Sequence, residues 1–348
     1  MFWLLVFVAA FLAFTYSVLR GENLSYLDQP PPAPEPFEPG EAYREALGRL
    51  QEVAESPLGH GRQRIRNIRR IMDDMGREGE TNAEFRPVDT GVVRGEWVLA
   101  EGHDPDKRLL YIHGGAFFAG SPISHRPLTS RLAELTGAAV FSLDYRLMPE
   151  NRRIDGIRDC QSAYRWLLET GPDGTGAARS IAVAGDSAGG SLTLTLSAWI
   201  RDSGLRQVDA AVAFSPTTDT VMDAPSLRDN IPTDPMLGPA FGLLAKVPLA
   251  LLLWFNWFNN RMKPSDPRVS PLRGGLADLP PTLVQASTTE MLFDDARRYV
   301  AKAQAAESPV VLQSWPNMLH VWQMFTALPE AEDALENVQE FLADTSFQ

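Results

Sequence analysis

From about residue 91 onward, short apolar and β-branched runs alternate with longer segments whose apolar residues recur at helical spacing. Such short runs are typical of strands, and the three-to-four spacing is typical of amphipathic helices. The predicted strands are RGEWVLA, RLLYIH, AVFSLD, SIAVAG, AAVAFS, TLVQAS and PVVLQSW. Because helix-length segments separate most of them, the pattern predicts an α/β fold with a mostly parallel central sheet flanked by helices.

The residues before 91 follow a different pattern. Residues 1–20, MFWLLVFVAAFLAFTYSVLR, carry one charged side chain, Arg20, and are long enough to span a hydrocarbon core of ~30 Å as a helix. A cleaved signal peptide is the alternative, but no basic region precedes the apolar run and no small-x-small site follows it. We expect a membrane protein with a single-pass N-terminal anchor of unassigned orientation. A Pro-rich linker over residues 21–40 then leads into a globular domain over residues 41–348.

The sequence of two segments in this domain is compatible with more than one environment. The first is a predicted helix, GRQRIRNIRRIMDDMG, with a cluster of arginines: Arg62, Arg64, Arg66, Arg69 and Arg70. A solvated helix face and contact with anionic lipid headgroups both explain such a cluster. The second is residues 238–262, which are very apolar but contain Lys246 and Pro248 and therefore suit a spanning helix poorly. They either pack in the core or enter the membrane interface with their tryptophans at headgroup level.

Charge and cysteine content exclude several classes of function. The formal net charge of −12 gives no basic face for nucleic acid. Cys160 is the only cysteine, so the chain forms no intramolecular disulfide, and a structural zinc site would lack its usual thiolate ligands. The chemistry that the sequence does predict, described next, requires neither a metal nor an organic cofactor.

The segment SIAVAGDSAGGSLTLTLSAWIRD is predicted to form a strand, a sharp turn and a helix, with Ser187 at the turn. Gly185 and Gly189 flank the serine at minus and plus two, where side chains would collide in a turn tight enough to present the hydroxyl group. This pattern is the GxSxG nucleophile elbow. An ordinary serine N-cap is the alternative, but a cap does not need the paired glycines.

A serine hydroxyl becomes an effective nucleophile only when a base takes its proton, so a histidine is required. The chain contains His60, His103, His113, His125 and His320. Three of these lie in loop or helix-leading segments, and His113 belongs to a glycine-rich segment with another predicted role. His320 follows the last predicted strand, and the chain order Ser187, acid, His320 is the order of an α/β-hydrolase triad.

The third member of such a triad is a carboxylate that orients the imidazole and stabilises its charged form. The segment QASTTEMLFDDARRYV offers Glu290, Asp294 and Asp295. The two aspartates open a predicted helix, where acidic side chains cap free amides. Glu290 has no such structural role and lies nearer the end of the strand, so we assign Glu290 as the acid and keep Asp294 as the alternative.

Attack on a carbonyl places negative charge on its oxygen, which needs hydrogen-bond donors. The segment YIHGGAFFAGS follows a predicted strand with consecutive glycines, whose amides can approach a substrate oxygen closely. We expect the amides of Gly114, Gly115 and Ala188 to form this oxyanion hole. A plain glycine turn is the alternative, but it does not explain why the turn accompanies a nucleophile elbow and a late histidine.

Four motifs in order, HGGAF, DYRLMPE, GDSAGG and the late histidine, resemble those of the hormone-sensitive-lipase-type carboxylesterases, a family of α/β-hydrolases. The resemblance extends over roughly residues 91–325. It implies that Ser187 is the nucleophile, that His320 is the base, and that residues 114–115 belong to the oxyanion loop. It also implies a helical cap, formed by the residues before about 90 and by an apolar insertion at about residues 216–265.

Two positions depart from the commonest form of that family. Ala116 stands where the family usually has a third glycine, a mild change because the amides that matter belong to its neighbours. Glu290 stands where many members have an aspartate and a subset have a glutamate. The thirty residues between Glu290 and His320 match the spacing that the family suggests.

The sequence therefore predicts a serine carboxylic ester hydrolase, an esterase or lipase, that acts on lipophilic acyl esters through an acyl-enzyme. Its expected partners are a small-molecule or lipid ester and a membrane. The membrane is contacted through residues 1–20 and, if residues 238–262 enter the membrane interface rather than the core, through those residues as well. An arylamide or acetyl deacetylase with the same triad is one alternative. A catalytically silent protein that binds small hydrophobic ligands in the same fold is another.

Overall fold

A computed structural model describes residues 2–347. Its strands are β1 Glu84–Asp89, β2 Arg94–Leu99, β3 Asp104–Ile112, β4 Ala138–Leu143, β5 Thr170–Gly171, β6 Gly174–Thr175, β7 Ser180–Asp186, β8 Ala210–Phe214, β9 Thr282–Ser287 and β10 Val310–Trp315. The central sheet has eight strands in the order β1-β2-β4-β3-β7-β8-β9-β10. Strand β2 is antiparallel to both of its neighbours and the remaining pairs are parallel. The short strands β5 and β6 pair separately.

The seven strands predicted from the sequence are all present, and the mostly parallel sheet confirms the predicted fold class. Strands β4, β7 and β9 are buried along their whole length, because helices cover both faces of the sheet. Strand β1 was missed, and it lies within residues 41–90, where only cap helices were expected. Its sequence EFRPVD is half exposed and contains a proline, which suits an edge strand but leaves no apolar run to detect.

The helices are α1 Phe2–Phe14, α2 Glu41–Glu55, α3 Gly61–Glu78, α4 Arg126–Thr136, α5 Arg153–Leu167, α6 Ala188–Asp202, α7 Ser226–Asp229, α8 Leu237–Ala245, α9 Leu249–Asn260, α10 Phe293–Ala305 and α11 Pro329–Ala343. Helices α5, α6 and α10 pack on one face of the sheet, and α4 and α11 pack on the other. Helices α2 and α3 precede the sheet, and α7 to α9 follow β8, within the two segments predicted to form the cap.

The structure does not support the predicted anchor as a spanning helix. Helix α1 ends at Phe14 and is followed by a short π-helix, Thr15–Arg20. Within residues 2–347 no single helix has both the length and the apolar character to cross a membrane. The segments Leu237–Leu244 and Leu249–Asn260 reach that length and composition only as a pair, and they are bent by 107°.

The first part of the predicted linker lies against the domain. Arg298 donates a hydrogen bond to Asp28 at 2.6 Å and another to Asp223 at 2.8 Å. Arg273 donates to the carbonyl oxygens of Arg20 and Glu22, both at 2.8 Å. Residues 20–28 are therefore fastened to the hydrolase domain and do not act as a free spacer.

Arg273 also forms a buried ion pair with Asp219. Its Nε and Nη2 atoms lie 2.8 and 2.7 Å from the two carboxylate oxygens, and the side chains are only 4% and 1% exposed. Removal of one partner from a buried pair leaves an uncompensated charge, which commonly costs about 3–5 kcal/mol. We therefore expect Arg273→Met to lower the free energy of unfolding by about that amount, as measured by urea denaturation followed by circular dichroism.

Arg268 provides the matched control. It pairs with Asp266 at 2.7 Å, but its side chain is 57% exposed, so the pair contributes about 1 kcal/mol or less. Arg268→Met should shift the urea midpoint only slightly. Equal effects of the two substitutions would show that burial of the Arg273 pair contributes nothing to stability.

Candidate active site

The sharp turn between β7 and α6 presents Ser187. Its backbone has φ +50° and ψ −112°, a conformation that is unfavourable for a residue with a side chain. A Cβ atom added at Gly185 or Gly189 would lie 2.5 or 1.8 Å from the carbonyl oxygen of Ile112, so both positions require glycine. Within the described chain the serine hydroxyl caps no amide of α6. The turn is the predicted elbow and not an ordinary helix cap.

The structure brings the three predicted triad side chains together at the carboxyl ends of the strands. His320 Nε2 lies 3.0 Å from Ser187 Oγ, and His320 Nδ1 lies 2.6 Å from Glu290 Oε2. The other oxygen of Glu290 accepts the backbone amide of Ser287 at 3.0 Å. The alternative acid, Asp294, accepts the amide of Ser226 instead and has no contact with the imidazole in the structure.

Glu290 and His320 are almost completely buried. Burial alone would lower the pKa of His320, but the hydrogen bond to Glu290 and the charge of that carboxylate outweigh burial, so the pKa lies above its ordinary value. Burial raises the pKa of Glu290, and the hydrogen bond from His320 opposes that rise. The pair therefore stabilises a proton on the imidazole, as a base needs when it takes a proton from a hydroxyl group.

The oxyanion loop differs from the prediction at one donor. The amide of Gly114 donates to Asp186 Oδ1 at 2.9 Å and is not free for a substrate. The amides of Gly115, Ala116 and Ala188 meet no acceptor among residues 2–347. Two of the three predicted donors therefore remain, and Ala116, which the sequence analysis set aside, supplies a third free amide beside them.

Asp186 holds this loop against the elbow. Its Oδ1 atom also accepts the hydroxyl group of Tyr111 at 2.7 Å, and His125 Nε2 lies 3.3 Å from it. Burial would raise the pKa of Asp186, but His125 and these hydrogen bonds outweigh burial and lower it. Asp186 is therefore a carboxylate at neutral pH. Its position directly before the nucleophile was the only sequence signal of this role.

Arg69 holds the far side of the same loop. Its guanidinium donates to the carbonyl oxygens of Phe118 at 2.7 Å and Met148 at 2.8 Å, and it pairs with Glu150 at 2.8 Å. The amide of Met148 in turn donates to the carbonyl of Phe117 at 2.9 Å. The other four arginines of the predicted basic cluster are exposed. Their shared helical spacing gave no means of separating Arg69 from them.

The segment after β8 holds the loop that carries the acid. Asn230 Nδ2 donates to the carbonyl oxygens of Glu290 at 2.9 Å and Thr288 at 3.1 Å. The amide of Met291 donates to Asp234 Oδ2 at 2.8 Å. Asp234 is 2% exposed, and its charge acts on both Glu290 and His320. These contacts fix the backbone before and after Glu290, the candidate for the catalytic carboxylate.

In the described part of the chain, no group of three or more histidine, cysteine, aspartate or glutamate side chains is arranged to hold a metal ion. Fold, elbow, acid, histidine and free amides together define an α/β-hydrolase. Comparison with known proteins agrees, because a family model described as the alpha/beta hydrolase fold matches residues 109–324.

Two characterised relatives and one solved structure refine this class. The chain is 37% identical over 280 residues to an acetyl-hydrolase of Streptomyces hygroscopicus, which is 79% of this chain and 88% of the relative. It is 34% identical over 277 residues to an esterase of Acinetobacter venetianus, covering 79% and 87%. The structure of an esterase from the bacterial hormone-sensitive lipase family matches with a TM-score of 0.76 and 32% identity, covering 88% of this chain and 98% of that one. The chain therefore belongs to the α/β-hydrolase family, in its hormone-sensitive-lipase branch, and the resemblance seen in the motifs is confirmed.

The pH dependence of the site tests the assignment of Glu290. The base must be neutral, so kcat/KM should rise as pH increases through the pKa of His320, which Glu290 holds above its ordinary value. Glu290→Gln removes that charge, so the acid limb should move to lower pH. The maximum of kcat/KM should also fall ~10²–10⁴-fold, because the imidazole loses its orienting carboxylate.

Asp294→Asn is the control for this experiment, since Asp294 does not contact His320. Its acid limb should coincide with that of the wild type in the same pH series. If Asp294→Asn moved the limb and Glu290→Gln left it in place, the acid would be Asp294.

Arg69→Met tests whether the guanidinium positions the oxyanion loop. Loss of its bonds to Phe118 and Met148 should let the free amides shift, and misplaced donors commonly cost ~10–10² in rate. We expect kcat to fall by about that factor while KM changes much less, as measured with a soluble ester. The matched control is Arg70→Met, on the exposed face of the same helix. Equal kcat values for the two variants would exclude a positioning role.

Proposed function

We propose that this chain is a serine carboxylic ester hydrolase that acts on lipophilic acyl esters through an acyl-enzyme. The observation that carries the proposal is the hydrogen-bonded series Ser187, His320 and Glu290, with successive distances of 3.0 and 2.6 Å. Free backbone amides lie beside the serine, in the loop after β3 and at the start of α6. The esterases and the acetyl-hydrolase among the relatives support the same reaction class.

In the acylation step, Ser187 Oγ attacks the carbonyl carbon of the ester and its proton passes to His320 Nε2. The carbonyl oxygen becomes negatively charged and accepts hydrogen bonds from the amides of Gly115 and Ala188, with Ala116 in reach of the same position. The tetrahedral intermediate then breaks its bond to the alkoxide, which leaves as the alcohol with the proton from His320. Glu290 stays ionised throughout and stabilises the imidazolium.

Deacylation repeats these steps with water. His320 takes a proton from the water molecule, whose oxygen attacks the acyl carbon of the Ser187 ester. The second tetrahedral intermediate expels Ser187 Oγ, which regains the proton from the imidazolium. The products are a carboxylic acid and the free enzyme.

Deacetylation of an amide is the second candidate, because the same groups serve it. One relative is named an acetyl-hydrolase, and that name supports an acetyl group as the acyl group removed here. An amine leaves less easily than an alcohol, so this reaction depends more strongly on proton delivery from His320. A silent ligand-binding role is less well supported, since Ser187, His320 and Glu290 lie within hydrogen-bond distance of one another.

We also propose that the protein works at a membrane. The support is the apolar N-terminal helix, residues 2–14, and the apolar insertion at residues 238–262, which both carry exposed aromatic side chains. A lipophilic ester could then reach Ser187 from the lipid phase.

Fluorophosphonate labelling of the purified protein tests the enzyme proposal. Ser187→Ala should abolish labelling and reduce ester hydrolysis by ~10⁴–10⁶-fold, because the nucleophile is lost. Ser191→Ala, one helical turn further along α6, is the control and should label like the wild type. A series of p-nitrophenyl esters of graded acyl length, with p-nitroacetanilide beside them, would measure the acyl preference and the preference for ester over amide.

Folded wild-type protein that does not label would overturn the proposal and favour the silent ligand-binding role. Labelling that persists in Ser187→Ala would place the nucleophile elsewhere. Faster hydrolysis of the anilide than of every ester would favour the deacetylase.

A further inference from the structure

Exposed apolar side chains are concentrated in two parts of this chain. Among the described residues, eight large hydrophobic side chains at positions 2–16 are exposed, and four more at positions 243–258. Elsewhere in the part of the chain that the structure describes, the exposed large hydrophobic side chains are those of Tyr26, Val92 and Val311. The most exposed are Trp3 at 79% and Leu243 at 82%. A soluble domain rarely leaves so much of its apolar surface in one region without a binding partner.

The two parts are joined by a tryptophan. The ring of Trp254, on α9, stacks on Phe11 of α1 at 5.2 Å, with the two planes nearly parallel. Its Nε1 atom donates to the hydroxyl group of Thr15 at 3.0 Å. One turn further along, Leu19 is buried against Leu253. Helix α1 is therefore docked on α9, and α8 precedes α9 across a three-residue break. We call the exposed side chains of these three helices the α1–α9 surface.

The charges around this surface identify its occupant. The chain carries 44 acidic and 32 basic residues, yet residues 2–19 hold no charged side chain and residues 235–262 hold only Lys246 and Arg261. Arg20, which follows the N-terminal helix, pairs with Asp223 at 2.9 Å and is not one of these cations. An apolar surface whose own residues include two cations and no acid suits a bilayer that contains anionic headgroups. Exposed tryptophan, as at Trp3, is typical of the headgroup level.

We propose that α1, α8 and α9 together bind a lipid bilayer, lying in its interfacial plane as one composite surface. The proposal rests on the membrane association proposed above and does not depend on the esterase activity. It replaces the separate anchor and cap helix predicted from the sequence by a single surface that needs both parts, because α1 packs on α9 through Trp254 and Arg20, beyond α1, pairs with Asp223.

The surface is also fixed close to the active site. Asp234 Oδ1 accepts the amide of Met236, which precedes α8, at 3.0 Å, and the amide of Leu237, the first residue of α8, at 2.7 Å. Its second oxygen accepts the amide of Met291, the residue after Glu290. The start of α8 and the loop that carries Glu290 are therefore joined through one side chain, that of Asp234.

Vesicle flotation of the full-length protein tests the proposal, with phosphatidylcholine vesicles that contain or lack phosphatidylglycerol. One variant combines Phe2→Gln, Trp3→Gln and Phe7→Gln, and the other combines Leu243→Gln, Leu251→Gln and Phe255→Gln. Each should lower the apparent binding constant by about tenfold or more, since both remove apolar side chains that would enter the bilayer. Phosphatidylglycerol should strengthen binding of the wild type. The control, Val92→Gln with Val311→Gln, should bind like the wild type.

Several results would overturn the proposal. Loss of binding only in the α1 variant, with wild-type protein that resists alkaline extraction, would indicate a spanning anchor. Wild-type binding in both variants would exclude the surface. Concentration-dependent self-association that the same substitutions abolish, without any vesicle binding by the wild type, would assign the surface to a second copy of the chain.

Failure of this proposal and failure of the proposed function remain distinguishable. Both triple variants should hydrolyse p-nitrophenyl acetate, a water-soluble ester, at the wild-type rate, because they leave Ser187, His320 and Glu290 unchanged. Ser187→Ala should bind vesicles like the wild type. A surface variant that lost activity on the soluble ester would indicate damage to the fold, which its thermal melting would reveal, and the corresponding single substitutions would then be measured.

Discussion

The carboxylate of Asp186 is the contact on which the active site depends. Asp186 is the last residue of the buried strand β7 and directly precedes Ser187, and its Oδ1 atom accepts a hydrogen bond from the amide of Gly114 at the end of the neighbouring strand. This hydrogen bond fixes the distance between the elbow and the oxyanion loop. Gly114 allows this approach, since a Cβ atom there would lie 2.0 Å from the carboxylate. An ionised group without water around it forms strong hydrogen bonds, so the arrangement is rigid.

Residues outside the central sheet also hold the oxyanion loop and the acid loop. Arg69, on a helix before the sheet, binds the backbone of the oxyanion loop, and Asn230 and Asp234, after β8, bind the backbone of the acid loop. The order of the strands determines which residues lie together at the carboxyl edge of the sheet. The flanking segments then fix the positions of the loops that carry those residues. Single residues in both flanking segments thus position the loops that carry the active-site groups.

Local sequence patterns were sufficient to predict those parts of the molecule that depend on neighbouring residues along the chain. The buried strands, the glycines around Ser187 and the late histidine each carry their own signal, and position along the chain separated Glu290 from Asp294. Contacts between distant segments carry no such signal. The engagement of Gly114 by Asp186, the role of Arg69 within a row of arginines, and the docking of α1 on α9 all depend on which surfaces meet. Strand β1 was missed for a different reason, because an edge strand that is half exposed has little apolar pattern.

The shared carboxylate of Asp234 couples the cap to the catalytic acid. One oxygen fixes the start of α8 and the other fixes the amide beside Glu290. A displacement of α8 would therefore pull on Asp234, and so on the loop that carries Glu290 and orients His320. The position of this cap helix and the alignment of the acid are set by the same side chain.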